Sequence, residues 1–363
     1  MSPKKWTIFI LVLVPLAILG FGQKEFVYPL FLELKLDHSY EFSSEHVALI
    51  EDENYIEPIQ IDLLSVENEP KCYVSSFLTT VCEDEICEVL HIKMFWDLAG
   101  EYVGYDTISG HPLTKFDHEP FKTSDYTKLH ELLLNEGTIL KFKRKDELID
   151  KKVLLASDVI DGTTGATALE IKEEVVDGAL YTSYTLWHIA HSGEIENTLK
   201  AKTRTRFNSE IAEKFLQSDK DNYRIFAIDE ISDTDLVQYQ WLLIDLIETG
   251  SPLLRKKVLR KSAELIELNA DYQLNICQLF DVLDINTRSY FLTILKERKQ
   301  ISIKSLEELS KYLTVMSKNQ LKDFLLLVSS IGYPNQILIE NLSKAASGNF
   351  RYDYVIKESG IMD

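Results

Sequence analysis

Asp161-Gly162-Thr163-Thr164-Gly165-Ala166-Thr167 is the stretch on which the reading of the fold turns. Val153-Leu154-Leu155-Ala156, just before it, is a short apolar run of strand type. After it, Leu169, Ile171, Val175, Val176, Ala179, Ser183, Leu186, Trp187 and Ala190 keep a helical spacing. A turn of small residues and threonines therefore opens a helix. The first N–H groups of a helix have no intrahelical acceptor, and the helix dipole places positive charge there, so such a turn suits a phosphate. An ordinary N-capping turn, with Thr164 or Thr167 as the cap, uses the same N–H groups without a ligand.

The stretch resembles the flavinylation motif of the FMN-binding domain family, D-x-x-[S/T]-G-A-T. By that resemblance Thr167 carries FMN through a phosphoester bond, and Asp161 is the leading acid. Thr164, Gly165 and Ala166 form the tight turn, the last two leaving room for a bulky group. Many members have Ser or Thr two residues after the attachment threonine, where this chain has Leu169. The resemblance implies an α+β domain and FMN attached outside the cytoplasm by a separate flavin transferase. It also implies electron transfer between membrane redox proteins rather than turnover of a substrate.

A length of 363 residues suggests two domains, and 45% hydrophobic content suffices for ordinary cores. The net charge of −19 argues against nucleic acid and against anionic membrane surfaces as partners. Met1 to Lys5 is a short basic segment, Trp6 to Leu19 is apolar, and Gly20-Phe21-Gly22 offers the small residues a signal peptidase reads. This predicts a signal peptide cleaved after Gly22, or an uncleaved anchor. The rest of the chain is then exported, to the periplasm or the outer face of the cytoplasmic membrane. Cys82 and Cys87 bound an acidic loop between the runs Tyr73 to Val81 and Val89 to Trp96. A disulfide stapling that hairpin, two free thiols, and a functional pair are the three readings of this spacing. Cys72 and Cys277 have no evident partner.

Tyr73 to Ile108 carries the strongest β signal, with Asp97-Leu98-Ala99-Gly100 as a tight turn between two strands. In the FMN-binding family a core hairpin with an acid and then a glycine likewise precedes the threonine motif. The loop from Ser109 to Phe121 lacks the family's short motif ending in Glu-Thr; Lys115 within it is placed to face a flavin phosphate or ring. Thr123-Ser124-Asp125 reads as the start of a helix over Tyr126 to Asn135 with Leu129, Leu132 and Leu133 on its apolar face, and Ile139 to Lys145 as a basic strand or edge. His188 and His191 share a helix face, read as packing rather than as a zinc pair for want of a third ligand.

Beyond Asn208 a repeat appears. Ser218, Ser251, Asp284 and Ser317 follow one another at intervals of 33 residues, and each is a good N-cap preceding a helix. Apolar positions recur at the same interval: Ile225, Val258, Phe291 and Phe324, and in the second helix Leu243, Ile276, Leu309 and Leu342. Four helical hairpins stacked as a short α-solenoid follow, resembling HEAT-like repeats. The expected layout is a signal or anchor segment over 1–22, an FMN-binding-like α+β domain over 23–200 and a connection over 201–217. The repeats cover 218–349 and a cap covers 350–363. A protein partner on the repeats is a further expectation. The rival reading is an envelope scaffold or adaptor without flavin.

Overall fold

The computed structural model describes residues 29–35, 42–51, 57–81, 89–115, 118–148, 171–332 and 334–361. Two compact units divide the chain: residues 1–97 with 101–192, and residues 98–100 with 193–363. The first is an antiparallel sheet with helices, the second is helical, so the layout is α+β followed by all-α.

The sheet has six strands in the order β1-β6-β5-β4-β3-β2. They are β1 (Phe31–Leu32), β2 (Phe42–Ile50), β3 (Ile59–Val66), β4 (Glu69–Thr79), β5 (Leu90–Asp97) and β6 (Tyr102–Thr107). Strands β2 to β6 pair with their sequence neighbours, which makes a meander; β1 lies beyond β6. Glu67 and Asn68, at φ 50° and 66°, join β3 to β4 in a two-residue turn with both central residues left-handed, the form that matches strand twist. The expected turn at Asp97 is present. Asp97 N donates to Glu101 O (2.8 Å), Asp97 Oδ1 accepts from Glu101 N (3.1 Å), and Gly100 takes φ 86°. Gly104 has a different task. A Cβ there would lie 2.2 Å from Phe31 O, so only glycine lets β1 come alongside β6.

Cross-strand neighbours share a face. Tyr73, Phe77, Ile92, Met94, Trp96 and Tyr105 are buried on one face of the sheet. There α1 (Thr123–Leu134) packs on β6 and on α2 (Leu180–Ala190). Leu129, Leu132 and Leu133 are the buried face of α1, as expected. The α1 start is fixed by Asp125, whose carboxylate accepts from Lys122 N (2.8 Å) in a capping box.

Two local expectations change. Ile139 to Lys145 is not a strand: Ile139–Phe142 is a 3-10 turn capped by Thr138, whose Oγ1 accepts from Leu140 N. The helical periodicity from Leu169 is also not one helix within the described residues. Lys172–Glu174 is a single 3-10 turn, Gly178 takes φ 73°, and the helix begins at Leu180. A glycine in the left-handed region stops helical propagation, whatever the apolar spacing on either side.

In the second unit α3 (Gly193–Arg206) and α4 (Ser209–Leu216) occupy the stretch that includes residues 201–217. Hairpins follow. The first-position helices are α5 (Asp221–Glu230), α7 (Pro252–Lys261), α10 (Ile285–Arg298) and α12 (Lys318–Ser330). The second-position helices are α6 (Gln240–Thr249), α9 (Ala270–Gln278), α11 (Ile303–Ser310) and α13 (Gln336–Ser347). Each first helix packs on the next first helix and each second on the next second, and α14 (Asp353–Lys357) packs on α12 and α13. The recurrent positions fill the core: Val258, Phe291, Phe324, Leu243, Ile276, Leu309 and Leu342 are buried, and Ile225 is half-buried against them.

Ser251, Asp284 and Ser317 cap their helices as predicted. Ser218 does not. Its Oγ accepts from Lys220 N (3.1 Å), a local turn that competes with capping, and α5 starts at Asp221. Asn269, Ser302 and Asn335 are a second set of caps, on the second-position helices, again 33 residues apart. The repeat containing α7 has an extra helix, α8 (Ala263–Leu268). The break falls at buried Ser262, whose Oγ donates to Val258 O (2.8 Å), the back-bonding that bends helices.

Candidate functional site

The motif residues Asp161, Thr164, Gly165, Ala166 and Thr167 lie outside the described residues, as do Leu169, Cys82, Cys87 and residues 1–22. Among the described residues no group of three or more His, Cys, Asp or Glu could hold a metal, and no helix is long and apolar enough to cross a membrane.

The sheet face opposite α1 holds a concavity of about 840 Å³. Register builds it. Ser76 lies opposite Lys93 and Lys93 opposite Asp106, so three strands contribute one polar row. The adjacent row is apolar: Val74 lies opposite Phe95, with Leu64 close by. Ser76 Oγ and His91 Nε2 are 3.1 Å apart, and the His91 ring meets the His111 ring edge-on at 5.2 Å. Asp106 Oδ1 accepts from Leu30 N (3.2 Å) and Thr107 N (2.9 Å), which anchors the chain ahead of β1. At the far side Asp62 Oδ1 accepts from Gln60 Nε2 (3.0 Å) and lies 3.4 Å from His46 Nδ1. An apolar strip beside an ammonium and imidazoles can hold a flat, largely apolar body with its polar edge toward Lys93. Cys72 is buried in the apolar cluster of this face beside Leu64 and Phe95, and burial first, and then the Asp97 carboxylate, push its thiol up to about 12, away from the thiolate a nucleophile needs. Cys277 is equally buried, and its thiol too is raised by burial.

The helix-covered face carries the other titratable groups. His130 is buried, with Tyr102 Oη at 3.2 Å from Nδ1, Glu33 Oε1 at 3.0 Å from Nε2, and Phe31 stacked on the ring. Burial raises the Tyr102 phenol, and Tyr105 and Glu33 add to the effect. Lys115 does not stand free: its Nζ is 2.9 Å from Asp125 Oδ2, and its stem packs over Gly178. Burial works against the Asp125 carboxylate, but the Lys122 N–H and the Lys115 ammonium outweigh it and hold the group below its ordinary range.

His188 and His191 pack, as expected. His191 Nε2 lies 2.9 Å from Leu133 O, and its ring lies against Trp187. The His188 ring lies tilted against Tyr184; burial lowers its affinity for a proton, the Leu140 carbonyl opposes this, and His191 adds to the lowering. Trp187 Nε1 donates to Asn135 O (3.0 Å), so α2 is tied to the end of α1.

The polar row is only half legible in the sequence. Alternation puts His91 and Lys93 on one face of β5, but the pairing of Lys93 with Asp106 is a matter of register. No protein-family model, no curated protein and no solved structure matches the chain.

Proposed function

We propose that the chain is an exported flavoprotein in which an FMN-binding-like domain, joined to HEAT-like repeats, carries FMN as a phosphoester on Thr167. It passes electrons between redox proteins of the cell envelope. One observation carries this reading: Asp161, Thr164, Gly165, Ala166 and Thr167 occur together in a single heptapeptide. A packing turn or a cap needs few of those identities. The β5–β6 hairpin lends support, since its acid-then-glycine turn lies upstream of the motif in the order the resemblance requires. Those five residues lie outside the described ones, so no contact of the flavin is assigned.

FMN, when bound, supplies the electron-transfer chemistry. The chain's part is to offer the Thr167 hydroxyl to a flavin transferase and to keep the turn around it small. A denaturing gel of the full chain co-expressed with such a transferase tests this. Flavin fluorescence that stays with the protein band is the expected result. A dark band beside a fluorescent control substrate contradicts it.

The second reading, an envelope adaptor without flavin, has a specific observation in its favour. Lys115 is already paired with Asp125, and its loop has no Glu-Thr motif. The same dark band is what that reading expects.

A further inference from the structure

We propose that a groove at the start of the helical unit binds a partner peptide through an arginine or lysine side chain laid on Trp241. The site is independent of Thr167 and of any flavin.

The groove runs between α4 and the 3-10 turn Leu236–Tyr239 that leads into α6, with a volume of about 480 Å³. Trp241, Tyr239 and Leu242 form its apolar side, and Glu210 and Glu213 its acidic side. Lys214 neutralises Glu210 (2.9 Å), whereas the Glu213 carboxylate accepts the neutral Gln217 amide (3.2 Å) and, among the described residues, faces no cation. The half-buried Tyr239 phenol is raised first by burial and then by the nearby Asp235 and Glu213 carboxylates.

Trp241 is the anomaly. It is 68% exposed, while Trp96 and Trp187 are buried. Elsewhere on this unit aromatic rings are covered by the chain's own cations. Lys256 Nζ lies 5.2 Å over Tyr290, Lys318 Nζ 5.4 Å over Tyr354, and the Arg351 guanidinium 5.3 Å over Tyr352. Among the described residues no cation covers Trp241. Indole is the best aromatic face for a cation, and an exposed tryptophan beside a groove is a typical energetic anchor of an interface. The aromatic face and the adjacent Glu213 carboxylate both select a cationic side chain. An acidic or purely apolar peptide gains nothing from Glu213.

The test uses the full chain and two fluorescent peptides of equal length, one arginine-rich and one glutamate-rich, followed by anisotropy at low and moderate salt. The expected result is saturable binding of the arginine peptide alone. Affinity should fall about tenfold or more in Trp241→Ala. In Glu213→Gln it should fall about threefold, with a weaker salt dependence. Leu253→Ala, at another exposed apolar position of the unit, should bind like the wild type. An exposed indole carries little of the fold, so circular dichroism of Trp241→Ala should match the wild type. Equal affinity of wild type and Trp241→Ala overturns the proposal, as does absence of binding or equal binding of the glutamate peptide. Concentration-dependent self-association of the wild type, abolished in Trp241→Ala, overturns it in favour of a second copy as occupant.

Discussion

The two units use buried polar side chains for opposite ends. In the helical unit they tie one repeat to the next. Gln273 Nε2 donates to Ile266 O and to Gln300 O, each at 3.0 Å, and its Oε1 accepts from Ser302 N (2.9 Å). Gln320, on the first-position helix of the fourth repeat, ties back to the third, donating to Ile285 O and Ser289 Oγ and accepting from Ser317 N. Ion pairs follow the same rule: Lys257 with Asp229, Lys261 with Asp233, and Lys296 with Asp323. In the sheet unit polar groups instead pin helices to distant strands. Trp96 Nε1 donates to Ala190 O (2.9 Å), and Tyr105 Oη to Tyr126 O (2.8 Å). A stack of repeats is held by neighbour terms and can lose them one at a time; a sheet closes through contacts far apart in sequence.

The largest effect that sharpens this contrast is expected from Phe291→Ala, in the middle of the helical core. Loss of a fully buried phenyl should cost about 3–5 kcal/mol. Urea unfolding should show an early transition of the helical unit, while the near-UV signal of buried Trp96 and Trp187 keeps its midpoint. Coincident shifts of both signals would break the contrast, since the units would then unfold as one. Gln273→Ala should come next. It strands one buried carbonyl, with a part-buried carbonyl and N–H beside it, at about 1–3 kcal/mol, again in the helical transition alone.

Asp125→Asn probes the sheet unit. It removes the capping carboxylate of α1 and the partner of Lys115, and should cost about 1 kcal/mol near neutral pH. The sign of its pH dependence is fixed. The folded carboxylate sits below its unfolded value, so its contribution is present above about pH 4 and is lost as pH falls through the folded value. Wild type and variant stabilities measured by urea titration should therefore converge on acidification. A constant gap down to strongly acidic pH would show that the ion pair contributes nothing. The smallest effect belongs to Leu253→Ser, 70% exposed, which should stay within about 0.5 kcal/mol of wild type.

The same contrast explains what can be read from the residues alone. Ser251, Asp284 and Ser317 check one another, because a cap repeated at a fixed interval with the same apolar positions behind it is unlike chance. The parallel series Asn269, Ser302 and Asn335 carries the same signal for the second-position helices. Ser218 misleads because a serine that bonds the second N–H ahead of it looks in sequence like one that caps. In the sheet unit β4 to β6 are legible from alternation, and the β5–β6 turn from Asp97 with Gly100. Strand order is not, and neither is the polar row Ser76, Lys93 and Asp106, because register depends on partners far along the chain. Gly178 is visible as a stop before Leu180, yet apolar spacing alone runs straight through it.

The flavin proposal rests on Thr167, and intact mass reads it directly. The full chain is co-expressed with a flavin transferase, as wild type and as Thr167→Ala, beside a control substrate that reports an active transferase. One FMN phosphoester on the wild type, absent from Thr167→Ala, is the predicted result. Unmodified mass in both proteins, with the control modified, contradicts it.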